Sequence, residues 1–348
     1  MRAMLLRRIG PLSGDAPPLE AADLPVPEPK QEEILLRVAV CGVCHTELDE
    51  IEGRTLPPRL PVVPGHQVVG RVQRVGGSAA GFREGDRAGV AWIHHACGRC
   101  AHCAAGNENL CAEFSATGRD VDGGYAEFMT VPAAFAHPIP SALTDAEAAP
   151  LLCAGAIGYR ALRLTQLAGK GRLGLTGFGA SGHLVLKLVR HRWPAMQTYV
   201  FSRNAAERDF ARQLGAVWAG ETSDSSPEPL DAIIDTTPAW KPVVEALGNL
   251  RPGGRLVINA IRKEDTDRNE LLRLSYADHL WLEKEIKTVA NVARRDVREF
   301  LALAAEANLK PEVREYPLAE ANDALWELKR RGQPGAKVLR IAQGAVSE

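Results

Sequence analysis

Residues 173–189, LGLTGFGASGHLVLKLV, set Gly177, Gly179 and Gly182 in the spacing G-x-G-x-x-G. An apolar run precedes the glycines, an amphipathic helical pattern follows, and a second apolar run, TYVFS at 198–202, ends about twenty residues further on. Each glycine has a physical use. Gly177 permits a tight turn, Gly179 lets the backbone approach a pyrophosphate, and Gly182 lets helix and sheet pack closely. Phe178, Ala180 and Ser181 complete the turn, and the free N–H groups at the start of the helix suit phosphate oxygens. The competing reading is a plain strand-to-helix turn, because three glycines at this spacing also arise by chance.

Outward from this turn, strand and helix patterns alternate. Residues 172–177, 198–202, 216–220, 230–237, 254–260 and 286–292 read as strands, and 181–193, 204–216 and 240–250 as helices between some of them. Such alternation predicts an α/β fold, a doubly wound parallel Rossmann sheet with helices on both faces. Before residue 150 the chain changes character. Short β-branched runs (EILLRVAV, HQVVGRVQRVG, DRAGVAWI, YAEFMTV) lie between Gly and Pro and predict an irregular, mainly β domain. From about residue 293, two helical patterns (294–307 and 318–331) and a last strand, AKVLRI, return to that first domain, which is then discontinuous. The expected domains are residues 1–152 with 293–348, and residues 153–292. SDSSPEP at 223–229 is a loop by composition.

Lys and Arg total 42 against 43 Asp and Glu in 348 residues, so the basic excess of a nucleic-acid protein is missing. No run approaches the roughly 18 apolar residues of a membrane span. The N-terminal MRAMLLRRIGPLSGD offers only AMLL, too short for a secretory leader. A cytoplasmic protein without nucleic-acid or membrane partners is expected. In that compartment thiols stay reduced, and clustered cysteines favour metal over disulfide.

Four of the seven cysteines, Cys97, Cys100, Cys103 and Cys111, are spaced C-x2-C-x2-C-x7-C. Four thiolates complete a tetrahedral zinc and leave no open position, the pattern of a structural site. The lobe between them is poor in apolar residues, so the metal would supply its folding energy. A four-iron cluster and disulfides are the rivals; the ferredoxin run with a following Pro is absent. Of the other three, Cys44 and Cys153 could join His66 in a site with three protein ligands and one open position, as a catalytic zinc requires. They are far apart in sequence, and buried apolar cysteines are the alternative reading. Cys41 is left over.

At this point the chain resembles the zinc-dependent medium-chain alcohol dehydrogenases. GVCHTEL is similar to the family's first ligand motif, PGHQVVG to its GHE motif, CGRCAHC with Cys111 to its structural-zinc lobe, PLLCAGAIGYRAL to its third-ligand helix, and GFGASG to its cofactor turn. The five occur in the family's order along nearly the whole chain. The resemblance implies a GroES-like catalytic domain and a homodimer or homotetramer joined through edge strands, with 286–292 as the edge. It also implies a catalytic and a structural zinc, and reversible hydride transfer between a small alcohol or aldehyde and a nicotinamide cofactor. Cys44, His66 and Cys153 become the catalytic ligands. Thr46 stands where a hydroxyl touches the substrate oxygen, and Glu47 where a carboxylate fixes the ligand histidine. His45 stands where a basic residue meets the pyrophosphate, and Trp92 where an aromatic lines the substrate pocket. An exposed His and a core Trp are the plain readings of the last two.

Three positions depart from the pattern. Gln67 replaces the Glu after the ligand His. Asp49 stands where many members end a proton relay with His, and reads either as that relay's end or as a solvated acid. Ser202, followed by Arg203, replaces the acid that holds the ribose hydroxyls of NAD, which makes NADP the expected cofactor over NAD. The alternatives are a polyol dehydrogenase, which usually has a carboxylate in place of Cys153, a zinc-free quinone or enoyl reductase, and a non-enzymatic zinc-binding module.

Overall fold

The computed structural model describes residues 1–12, 17–330 and 335–341. Residues 13–15 of the N-terminal stretch, and Arg331 at the end of the last helical pattern, lie outside the described residues. The chain forms two compact units, Met1–Cys153 with Val292–Glu348, and Ala154–Asn291.

The second unit is a six-stranded parallel sheet. Its elements in chain order are β1 (Gly171–Thr176), α1 (Ala180–Arg192), β2 (Met196–Phe201), α2 (Ala205–Gln213), β3 (Trp218–Gly220), β4 (Leu230–Asp235), α3 (Lys241–Gly248), β5 (Leu250–Ile258) and β6 (Glu285–Thr288). The strand order is 3-2-1-4-5-6. It reverses between β1 and β4, and open sheets of this kind bind ligands beyond the strand ends at such a reversal. Leu173 and Leu175 of β1 and Ile233 and Ile234 of β4 are fully buried, because helices cover both faces and the strands can be apolar throughout. Tyr199, Phe201, Ile233, Val243, Leu247 and Leu256 pack into one cluster, each full burial contributing about 1.5–3 kcal/mol. Leu184, Val185, Leu188 and Val189 form the inner face of α1, at the spacing of one helical stripe. Pro194 follows α1 and cannot continue it. β6 is an exposed edge strand. It stops at Thr288, short of the run read to residue 292, and Asn291 is left-handed with φ of 55°.

The first unit is mainly β. Its largest sheet has seven strands in the order Val313–Pro317, Ala336–Arg340, Glu33–Val43, Gln67–Val75, Arg87–Val90 and Ala136–Pro138, with Phe128–Pro132 also paired to Glu33–Val43. Arg2–Leu6 with Leu19–Asp23, and Ile93–His95 with Ser115–Ala116, make two small antiparallel sheets. The helices Arg294–Glu306 and Ala321–Lys329 belong to this unit. The lobe around Cys97 to Cys111 is held to the first of these by Glu108, whose Oε1 accepts from Arg294 Nε at 2.9 Å. The Arg294 guanidinium in turn lies 4.8 Å from the Phe135 ring centre.

Candidate active site

The strand Glu33–Val43 ends one residue before Cys44, which is the N-cap of the helix His45–Ile51. The Cys44 sulfur accepts the Thr46 N–H at 3.4 Å. Glu47, at the third helical position, accepts the Cys44 N–H at 2.8 Å, the reciprocal arrangement of a capping box. The other Glu47 oxygen lies 2.6 Å from His66 Nδ1, and the two side chains are 0% and 1% exposed. The contact is an ion pair whenever the imidazole is protonated. A carboxylate there keeps the proton on Nδ1 and leaves Nε2 as a ligand. Nε2 stands 3.7 Å from Cys44 Sγ. Gly65 lets the chain reach this place, for its φ is 99° and a Cβ would lie 2.3 Å from the Tyr125 ring. Cys153 comes from the wide π turn Leu151–Gly155, after a helix capped by Thr144 and Glu147.

One donor atom from each of Cys44, His66 and Cys153 lies within 4.8 Å of the others. Ligands about 2.0–2.3 Å from a tetrahedral zinc stand about 3.3–3.8 Å apart, so the spacing suits that ion. The electrostatics also suit a cation. The hydrogen bond with Cys153, then burial and the charge of Glu47, push the Cys44 thiol well above its ordinary range. Burial pulls His66 down, but Glu47 and Cys44 outweigh it and raise its pKa well above the usual value. A central positive charge reverses both tendencies, favouring thiolate and neutral imidazole.

The four remaining lobe cysteines also converge. Cys97 and Cys103 sulfurs are 3.9 Å apart, and Cys100 and Cys103 sulfurs 3.5 Å. Backbone N–H groups point at them: Cys100 N to Cys97 Sγ at 3.4 Å, and Glu113 N to Cys111 Sγ at 3.3 Å. The N–H groups of Arg99 and Cys100 draw Cys97 down to about 7. Desolvation, then the Cys100 hydrogen bond, pushes Cys103 up to about 12. A cation at their centre would favour the thiolate form. Cys41 is fully buried and outside both groups.

Around the three-ligand group, Thr46 is half-buried and His45 exposed. Asp49 is buried rather than solvated, with Arg54 Nε donating to its Oδ1 at 2.5 Å. Trp92 is half-buried against Phe114, ring centres 5.5 Å apart, with the Arg119 guanidinium 5.3 Å from its ring centre. Gln67 folds back over Gly42 of the neighbouring strand. The sequence reading missed Glu50, one turn after Glu47 on the buried face of the same helix. Burial, then the charge of Glu47, holds its carboxyl well above the ordinary range. Trp92 lies close enough to favour its charge, yet neither oxygen has an aligned partner among the described residues. The i,i+3 spacing of Glu47 and Glu50 was the available signal.

In the second unit Gly177 follows β1 with φ of 79°, and a Cβ there would meet Thr236 Oγ1 at 2.7 Å. Gly179 is the N-cap of α1, and a Cβ on it would meet nothing within 4 Å. Its openness leaves room for a ligand, whereas Gly182 is tight: a Cβ would sit 2.8 Å from the Gly177 carbonyl oxygen. Phe178 is buried, Ser181 half-buried and Ala180 exposed. Beyond β2, Ser202 is buried and Arg203 exposed. The sequence did not show that Glu207 of α2 reaches back to Ser202, whose Oγ donates to Glu207 Oε2 at 2.5 Å. It also gave no sign of the buried Asp235–Lys263 ion pair, in which Lys263 Nζ further donates to the carbonyls of Thr237 at 2.7 Å and Ala239 at 2.9 Å.

Among the described residues no helix is long and apolar enough to cross a membrane. Residues 30–141 match the alcohol dehydrogenase GroES-like domain. Over 346 residues the chain is 45% identical to a "Probable alcohol dehydrogenase AdhA" of Mycobacterium tuberculosis, covering 98% of this chain and 97% of the relative. An alcohol dehydrogenase of Geobacillus stearothermophilus is 30% identical over 341 residues, 93% of this chain and 96% of its own. Among solved structures, a cinnamyl alcohol dehydrogenase of Sorghum bicolor superposes with a TM-score of 0.82 at 26% identity, covering 100% of this chain and 99% of its own. With likeness of this extent, two sulfur-rich groups of metal-ligand geometry and a glycine turn on a parallel sheet, the chain belongs to the medium-chain zinc alcohol dehydrogenases, NAD(P)-dependent enzymes that move a hydride between an alcohol and a nicotinamide.

Proposed function

We propose that Cys44, His66 and Cys153 hold the catalytic zinc, and that the chain interconverts a small alcohol and its aldehyde or ketone there. The observation that carries this is the convergence of the three donor atoms within 4.8 Å. A zinc ion in such a set supplies a Lewis acid that makes an alcohol hydroxyl acidic near neutral pH. The protein does the rest. Glu47 fixes the His66 ring and its tautomer through the 2.6 Å contact. Thr46, packed against the Cys44 sulfur through its N–H, would accept the hydroxyl proton on its Oγ1 while passing its own proton on, and a bound nicotinamide would supply the hydride acceptor. Asp49, held by Arg54, is the end of the proton path. The turn Gly177, Phe178, Gly179, Ala180, Ser181 and Gly182 binds the pyrophosphate. Trp92 lines the pocket. Cys97, Cys100, Cys103 and Cys111 hold a structural zinc.

Ile286 is exposed on the edge strand β6, and Tyr276, Trp281 and Leu282, exposed as well, precede that strand in the chain, which supports a homodimer or homotetramer joined there. Ser202 and Arg203 taken alone favour the 2′-phosphate of NADP; Glu207 beside them carries the opposite charge. Metal analysis of Cys153→Ala tests the site. Zinc should fall from about two to about one per chain, with turnover lost and the fold kept. Near-normal activity at full zinc loading would remove Cys153 from the ligand set.

A further inference from the structure

We infer that Glu207 selects the cofactor, favouring the unphosphorylated ribose of NAD over the 2′-phosphate of NADP; the inference rests on the nicotinamide-dependent reading above. The end of β2 lacks an acid in sequence, since Ser202 stands there. In space the acid is present. Glu207 occupies the third position of α2 behind the N-cap Asn204, and its Oε2 accepts the Ser202 hydroxyl at 2.5 Å. The Ser202 oxygen in turn accepts the Asn204 N–H at 3.2 Å. Its one donor is therefore spent on Glu207, and a phosphate needs donors. What remains is a carboxylate, and its Oε1 makes no further bond among the described residues. A ribose diol brings its own donors to such an acceptor, whereas a 2′-phosphate meets like charge.

The nearby cations do not offset this. Arg208 donates to the Ser202 carbonyl at 2.8 Å and lies 3.6 Å from Glu221. Arg212 is bound to the Ala219 carbonyl at 2.6 Å and to Asp209 at 2.8 Å. Arg203 is exposed. The acid comes from the helix, five residues beyond Ser202, so the sequence pattern at the strand conceals it.

The test is calorimetric titration of the full chain with NADH and NADPH, and with ADP-ribose and its 2′-phosphorylated form, at matched ionic strength. The wild type should bind the unphosphorylated member of each pair at least about tenfold more tightly. Glu207→Gln keeps the Ser202 bond and removes the charge, and should shift the ratio toward the phosphorylated member by about 10- to 150-fold. Glu207→Lys should invert the order, and Arg203→Ala should leave it. A wild type that prefers NADPH, or a ratio unmoved in both Glu207 variants, would overturn the assignment. These titrations need neither zinc nor alcohol. Failure of the dehydrogenase reading would instead show as no alcohol oxidation with either cofactor.

Discussion

Replacing Glu47 by Gln sets the two contacts of that side chain against each other. The carboxylate accepts the Cys44 N–H at 2.8 Å with one oxygen and faces His66 Nδ1 at 2.6 Å with the other. A carboxamide has one oxygen only. If that oxygen stays on the Cys44 N–H, the NH2 faces Nδ1, and His66 must carry its proton on Nε2. That atom, 3.7 Å from Cys44 Sγ, can then no longer ligate a metal. If the amide turns over, a donor meets the Cys44 N–H in a buried place, at about 1–3 kcal/mol. Either outcome falls in the range seen when such a partner of a ligand histidine is removed, about 10- to 100-fold in metal affinity, or about 1.4–2.8 kcal/mol. The assay is zinc release against a chromogenic chelator, with the four-cysteine zinc as an internal reference. One zinc per chain should leave at about 10- to 100-fold lower chelator concentration, the second should leave as in the wild type, and alcohol oxidation should fall with the first. Equal retention of both ions by the variant would refute the reasoning, and so would their loss in a single step.

Cys103→Ser removes one of the converging lobe sulfurs, and should lower the melting temperature by about 5 °C or more, since structural zinc supplies folding energy; unchanged melting with two zinc per chain would count against the four-cysteine site. Gly179→Ala should leave the melting temperature in place, because the new Cβ meets nothing within 4 Å, yet weaken NADH binding by about tenfold or more; wild-type affinity would mean that the turn does not carry the pyrophosphate. His137 is buried, neither ring nitrogen has a partner among the described residues, and burial, with Arg298 and Arg294, lowers its pKa to about 3. Above about pH 6.5 both folded and unfolded chains leave it neutral. Below that only the unfolded chain takes the proton, so stability is lost as pH falls from about 6.5 toward 3, at about 1.4 kcal/mol per unit. His137→Phe should flatten the pH dependence of urea unfolding by about that slope between pH 6 and 5, and parallel slopes would sink the argument.

What could be read from the sequence was what local physics imposes. The glycine turn was legible because φ of 79° at Gly177 and the tight seat of Gly182 are demands of the backbone itself. The lobe cysteines were legible because two-residue gaps bring sulfurs together without help from the rest of the fold. Cys44, His66 and Cys153 are brought together by a strand end, a Pro-Gly turn and a π turn; their donor types alone allowed the set, and the likeness to a known family made it the expectation. Glu50 was missed because His66, Trp92 and Arg119, which act on it, are distant in sequence, and Glu207 because its partner depends on how α2 sets down beside β2. The strands Arg2–Leu6 and Leu19–Asp23 escaped notice because they form a two-stranded sheet with each other, tied to the rest by isolated bridges such as Ala3 to Ala126 and Leu6 to Val62, with no longer pattern to mark them.

The first unit closes on itself from both ends of the chain, and that has a cost in time. Residues Val40 to Val43 pair with the strand Ala336–Arg340, and Leu19 bonds Asn322 across 303 residues. At synthesis rates of about 5–20 residues per second, such partners emerge about 15–60 s apart. The second unit is continuous and can fold in the interval. Over that time the segment leading to Cys44 is an unpaired β edge, open to pairing with another nascent chain. The yield of active protein in a cell should therefore depend on whether a chaperone shields this edge until the returning strand arrives.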